Sequence, residues 1–161
     1  MFVPTIIYIK RFCQTITAIL IAVMVVLVSY VVFERYLLHT APPWAEELPR
    51  VLLVWATFLG GVICTADKSH LTAGITSALI KNPRILHIIT YINHLLCIGV
   101  LAILVYAGWE LTLLTLDDSL PVLGITAGIV YFTLPISCLA MIVIHLLQMV
   151  ELFNKKHTNK V

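Results

Sequence analysis

Four apolar stretches, at residues 12–33, 48–66, 85–116 and 125–150, dominate this sequence. A hydrocarbon core of ~30 Å is crossed by about 20 helical residues rising ~1.5 Å each, so every stretch is long enough to span it. Hydrophobic residues make up 61% of the chain and charged residues only 11%, against about 25% charged in a soluble domain. A water-soluble chain of 161 residues could not cover that much apolar surface with polar groups. The expected fold class is an all-α integral membrane protein, a single membrane domain over residues 1–161 with four transmembrane helices. Lys10 and Arg11 precede the first stretch, as in a signal peptide. That stretch is too long for a signal core and lacks a small-x-small cleavage site, so it is expected to be an uncleaved span.

The basic residues give the spans a direction. With the first span running outward, Lys10, Arg11, Lys68, Lys81, Arg84, Lys155, Lys156 and Lys160 fall on the cytoplasmic side, and Arg35 and Arg50 fall outside. The reverse orientation would place eight basic residues out and two in. Cytoplasmic loops carry the excess of Lys and Arg, so both termini are expected in the cytoplasm. Glu34, Glu46, Glu47, Glu110, Asp117 and Asp118 then make the outer side acidic.

The connections differ in character. Pro42-Pro43-Trp44 lies in the first outer loop. Proline is tolerated at a first helical position, where its missing N–H would have no partner, so a helix can start near Pro43. Pro49 then either kinks that helix or marks a fresh start at Leu48. In the segment 67–84, Leu71, Ile75, Ala78 and Leu79 recur at helical spacing among polar residues. This predicts a short amphipathic helix at the membrane interface over about 69–81, beginning near His70. Asn82-Pro83 reads as N-cap and first residue of the third span. The tail, 154–161, is basic and polar.

Few residues suggest chemistry. Cys13, Cys64, Cys97 and Cys138 form no CxxC pair and read as small apolar side chains. Glu46 and Glu47 stand four and three residues before Arg50, the order that favours pairing along a helix. Trp44 and Trp55 flank this cluster, Trp44 as a membrane-interface anchor and Trp55 deeper. Gly60-Gly61 permits close approach of another helix. Glu110 lies too near the outer boundary for a proton-coupled antiporter of four short helices, and beside Trp109 it reads as an interfacial carboxylate. His87 and His94 share a helical face, and His145 lies in the fourth span. Membrane histidines can ligate haem, so a haem-carrying anchor of a respiratory complex is a second function class to test. The sequence has no phosphate loop, no nucleophile with a base and no metal-ligand cluster, and nothing in it indicates an enzyme or a nucleic-acid partner.

Phe33-Glu34-Arg35-Tyr36, then Trp44-Ala45-Glu46-Glu47-Leu48-Pro49-Arg50, then Trp55-Ala56-Thr57-Phe58-Leu59-Gly60 and Lys68-Ser69-His70-Leu71, resemble the small membrane subunit (the DctQ type) of tripartite ATP-independent periplasmic, or TRAP, transporters. Leu120-Pro121-Val122-Leu123-Gly124-Ile125 and Tyr131-Phe132-Thr133-Leu134-Pro135-Ile136 resemble that family's last loop and fourth span. Pro49 is a mild departure, standing where a small residue is expected. The resemblance implies a non-catalytic small permease subunit in a bacterial inner membrane. Its partners would be a large, elevator-type DctM subunit, which holds the substrate and sodium sites, and a periplasmic DctP-type substrate-binding protein. Transport would be driven by sodium, with organic acids such as C4-dicarboxylates and sialic acids as substrates and no cofactor in this chain. Trp44, Glu46, Glu47, Arg50, Trp55 and Gly60 are then expected to be structural or to face the large subunit. Arg35, Asp117 and Asp118 are the candidate contacts for the binding protein. The interfacial helix, with His70, Leu71, Ile75 and Leu79, would broaden the subunit's hold on the bilayer.

Overall fold

The computed structural model describes residues 3–40, 42–67 and 83–158. The interfacial helix expected over 69–81, with His70, Leu71, Ile75 and Leu79, lies outside the described residues. Among those described, four helices are long and apolar enough to cross a membrane.

Helix α1 runs Val3–Phe33 and continues into a π-helical turn, Glu34–Leu38. His39 ends it in the left-handed region, at φ 51°. Pro42 is extended, and Pro43 opens a single 3₁₀ turn, Pro43–Ala45. Helix α2 spans Glu47–Ala66. Pro49 is therefore its third residue, where a backbone N–H would have no intrahelical acceptor, and neither a kink nor a restart is needed. Helix α3, Pro83–Leu114, has 32 residues and a length of about 48 Å, so it outreaches a hydrocarbon core.

The fourth apolar stretch is not one helix from its start. Residues 125–127 belong to a loop closed by an isolated bridge between Ser119 and Thr126. Gly124 turns that loop at φ 64°, a conformation that costs glycine little. A short helix α4, Gly128–Tyr131, then leads into α5, Thr133–Thr158. Pro135 explains the break. It has no N–H to give the Tyr131 carbonyl, and its ring crowds that oxygen. The next bond, Ile136 N–H to Phe132 O, is stretched to 3.5 Å.

The spans form a row rather than a closed bundle. Helix α1 packs on α2, α2 on α5, and α5 on α3, while α1 and α3 share no extended packing. The row consists of two antiparallel hairpins, α1–α2 and α3–α5, joined side by side through the parallel helices α2 and α5. At the end where α1 begins, hereafter the terminal end, Ile6 and Cys13 meet Val62 and Ile144 in one apolar cluster. The opposite end carries the loops 39–46 and 115–127. Outward faces are apolar: Val26 is 68% exposed and Ile103 69%. Such surfaces suit lipid or a partner helix, not water.

Close approach between α3 and α5 requires Gly108. A Cβ there would lie 2.2 Å from Leu134 Cδ2 and 3.1 Å from Pro135 Cδ. The leucine can rotate, but the proline ring cannot. Gly108→Ala should therefore destabilise the detergent-solubilised protein by about 1–3 kcal/mol. Gly99→Ala, on the same helix with nothing within 4 Å of its Cβ, should leave the unfolding midpoint unchanged or raise it.

Candidate functional site

The loop end gathers most of the residues singled out by sequence. Glu47, the first residue of α2, turns its carboxylate onto the other hairpin. Its Oε2 accepts the Val122 N–H at 3.2 Å and the Leu123 N–H at 3.1 Å. Both bonds are charge-assisted and add to the backbone bonds that close this turn, Gly124 N–H to Leu120 O and Leu120 N–H to Ile125 O, each 2.9 Å. Glu47 is thus a structural clamp, and no ion pair joins it or Glu46 to Arg50. Trp44 stacks on Tyr30 of α1, with centroids 6.1 Å apart and planes 10° from parallel. Tyr30 in turn donates to Glu34 Oε1 at 2.5 Å. These contacts fold the first loop down onto its own hairpin.

The remaining charged residues of this end are presented outward. Arg35, Glu46, Arg50, Asp117 and Asp118 are all exposed. The Asp118 carbonyl is engaged, accepting the Ala127 N–H at 2.7 Å. Glu110 accepts from Tyr106 at 2.6 Å on an exposed face, and Trp109 lies 6.3 Å from Phe132.

Along α2, Arg50, Leu53, Thr57 and Cys64 are exposed at helical spacing. Gly60 falls within this stripe, and a Cβ on it would meet nothing within 4 Å. Trp55 is half-buried. The side of α2 away from the core is therefore shallow and open in its middle, flanked by larger side chains.

Two histidines meet in the interior. His94 Nδ1 and His145 Nδ1 lie 3.0 Å apart, with both rings buried and set edge to face, centroids 5.2 Å apart. One ring must supply the shared proton and the other the lone pair. Direct contact leaves no space for an iron and macrocycle between these nitrogens, so the haem-anchor reading has no support. Among the described residues, no group of three or more His, Cys, Asp or Glu converges. Sequence singled out both histidines but had no means of pairing them. It also missed Gln148, whose Nε2 donates to the Thr65 carbonyl at 3.0 Å across the α2–α5 contact.

The profile of the DctQ component of tripartite ATP-independent periplasmic transporters matches residues 24–155. The chain belongs to the DctQ family. The match runs from within α1 to near the end of α5, so it takes in the last third of α1, the other three spans and the loops 39–46 and 115–127. Two proteins of Haemophilus influenzae (strain ATCC 51907 / DSM 11121 / KW20 / Rd) named as TRAP transporter small permease proteins are similar to it. One is 27% identical over 129 residues, covering 78% of this chain and 77% of that relative. The other is 23% identical over 145 residues, covering 89% and 87%. This DctQ-family chain is accordingly a small permease subunit of a TRAP transporter, a multi-pass protein of the inner membrane.

Two outcomes test the internal contacts. Glu47→Ala should accelerate hydrogen exchange at Val122 and Leu123 while leaving α2 protected. Glu47→Gln, which keeps a carbonyl acceptor, should fall between the two. Replacing either His94 or His145 by leucine strands a buried ring nitrogen and should cost about 1–3 kcal/mol in detergent unfolding. The double variant should cost less than the sum of the two, the excess being their coupling.

Proposed function

We propose that this DctQ-family subunit is the stationary scaffold of a bacterial sodium-coupled transporter for organic acids. It holds a larger DctM-type membrane subunit that binds sodium and substrate and moves like an elevator. The open row of helices carries this reading. A carrier needs a polar route between its helices, whereas here the buried polar contacts between helices are direct ones, His94 with His145 and Gln148 with the Thr65 carbonyl, and both broad faces of the row are apolar. A row also offers far more side surface to a partner than a closed bundle of the same four helices would. Cytoplasmic termini, proposed from the distribution of Lys and Arg, put the loop end in the periplasm. Arg35, Asp117 and Asp118 then face a DctP-type binding protein.

Within this reading, the open face of α2 around Gly60 receives a helix of the large subunit. Small residues let backbones approach closely in lipid, where packing rather than water exclusion drives association. Gly60→Trp is the test, since nothing within this chain obstructs a side chain there. The variant should insert and melt like the wild type. Its co-purification with the co-expressed large subunit and its support of uptake should both fall at least several-fold. Undiminished co-purification would move the interface to another face of the row.

A further inference from the structure

A cleft of about 230 Å³ opens at the terminal end between the ends of α1, α2 and α5. Its walls include Ile6, Ile7 and Lys10 of α1, Asp67 at the end of α2, and Gln148 and Glu151 of α5. Lys10 Nζ and Asp67 Oδ1 are 2.5 Å apart. Lys10, Asp67 and Glu151 line it with one cation and two carboxylates. Gln148 is 1% exposed, and its amide orientation is fixed because only Nε2 can donate to the Thr65 carbonyl. Its Oε1 is left buried without a donor. Buried acceptors are nearly always satisfied, so a missing donor at a cleft points to something that enters it.

Depth narrows what that is. Glu151 stands 18 residues after Thr133, the first residue of α5, or about 27 Å along the helix axis. This is close to the full hydrocarbon thickness, so the cleft lies at the level of lipid headgroups. Beside its charged groups stand two isoleucines, of which Ile7 is 43% exposed. A ligand that fits brings N–H donors on a cation, an anionic group for Lys10, and hydrocarbon to lie along Ile6 and Ile7.

We propose that this cleft binds the headgroup of an aminophospholipid, phosphatidylethanolamine. Its primary ammonium donates to Gln148 Oε1 and to the carboxylates of Glu151 and Asp67. Its phosphodiester accepts from Lys10, and an acyl chain runs along the isoleucines. A carboxylate has about four acceptor positions, so other bonds made by Glu151 and Asp67 leave capacity for the ammonium. Phosphatidylcholine has the same charges but no N–H to donate. Phosphatidylglycerol has donors but no cation.

The test is native mass spectrometry of the full chain, with its large subunit where the two co-purify, after reconstitution in nanodiscs holding equal phosphatidylethanolamine and phosphatidylcholine. The expected result is one phosphatidylethanolamine retained per chain, preferred over phosphatidylcholine by about tenfold. Glu151→Gln, outside the packed core, should cut that preference several-fold, and Gln148→Met should abolish it. If Gln148→Met fails to fold, Glu151→Gln carries the test alone. Equal retention of both lipids would overturn the proposal and leave water as the donor to Gln148. A preference unchanged in Glu151→Gln would also overturn it. So would soluble phosphoethanolamine displacing the lipid at micromolar concentration, because the site would then recognise a free metabolite. Retention only in the presence of the large subunit would assign the donor to that subunit.

Discussion

A side chain that can form hydrogen bonds loses free energy wherever it meets hydrocarbon alone. Helix α5 carries Thr133, Ser137, His145 and Gln148, and all four are buried. The arrangement of the other helices follows from hiding them. Helix α2 supplies the Thr65 carbonyl to Gln148, and α3 supplies His94 to His145. Helices α2 and α3 both pack on α5 and share no extended packing with each other, so α5 has a neighbour on each side. That makes the last span in the sequence an inner one in space. Helix α1 meets α2 through the apolar cluster of Ile6, Cys13 and Val62 and takes the outer place beside it.

The two hairpins are fastened at both ends by different means. At the terminal end the link is apolar, the cluster of Ile6, Cys13, Val62 and Ile144. At the loop end it is the Glu47 carboxylate on two backbone amides. Between them the parallel helices α2 and α5 are in contact along their length, with Gly61 facing Met141. Fixing both ends of a parallel contact also fixes its register, since a slide of one turn would free Glu47 and Gln148 together. In the proposed scaffold role, that fixed register keeps the surface offered to the partner constant.

The local features were legible in the sequence. Four spans were visible as apolar length alone, and the first and third begin and end within a turn or two of helices α1 and α3, apart from an earlier start to α1. Proline chemistry separated two cases that look alike. Pro49 sits in a first turn and is silent, whereas Pro135 stands far enough inside an apolar run to break it. The hidden features were those joining residues far apart in the chain. Glu47 was read with Arg50 because spacing relates only near neighbours, yet its partners are 75 and 76 residues away. The order of helices in the row was invisible for the same reason. His94 and His145 are separated by 51 positions, and no periodicity within one helix reports a contact between two.

That separation has a consequence for biogenesis. Chains are made from the N-terminus, so α3 is complete before α5 exists. The first hairpin can close on its own apolar surfaces as soon as α2 has been made. The second hairpin has a later deadline, because the ring that His94 meets belongs to the last span. Until α5 arrives, α3 lacks this contact between helices. The histidine pair therefore ties closure of the second hairpin to the completion of α5.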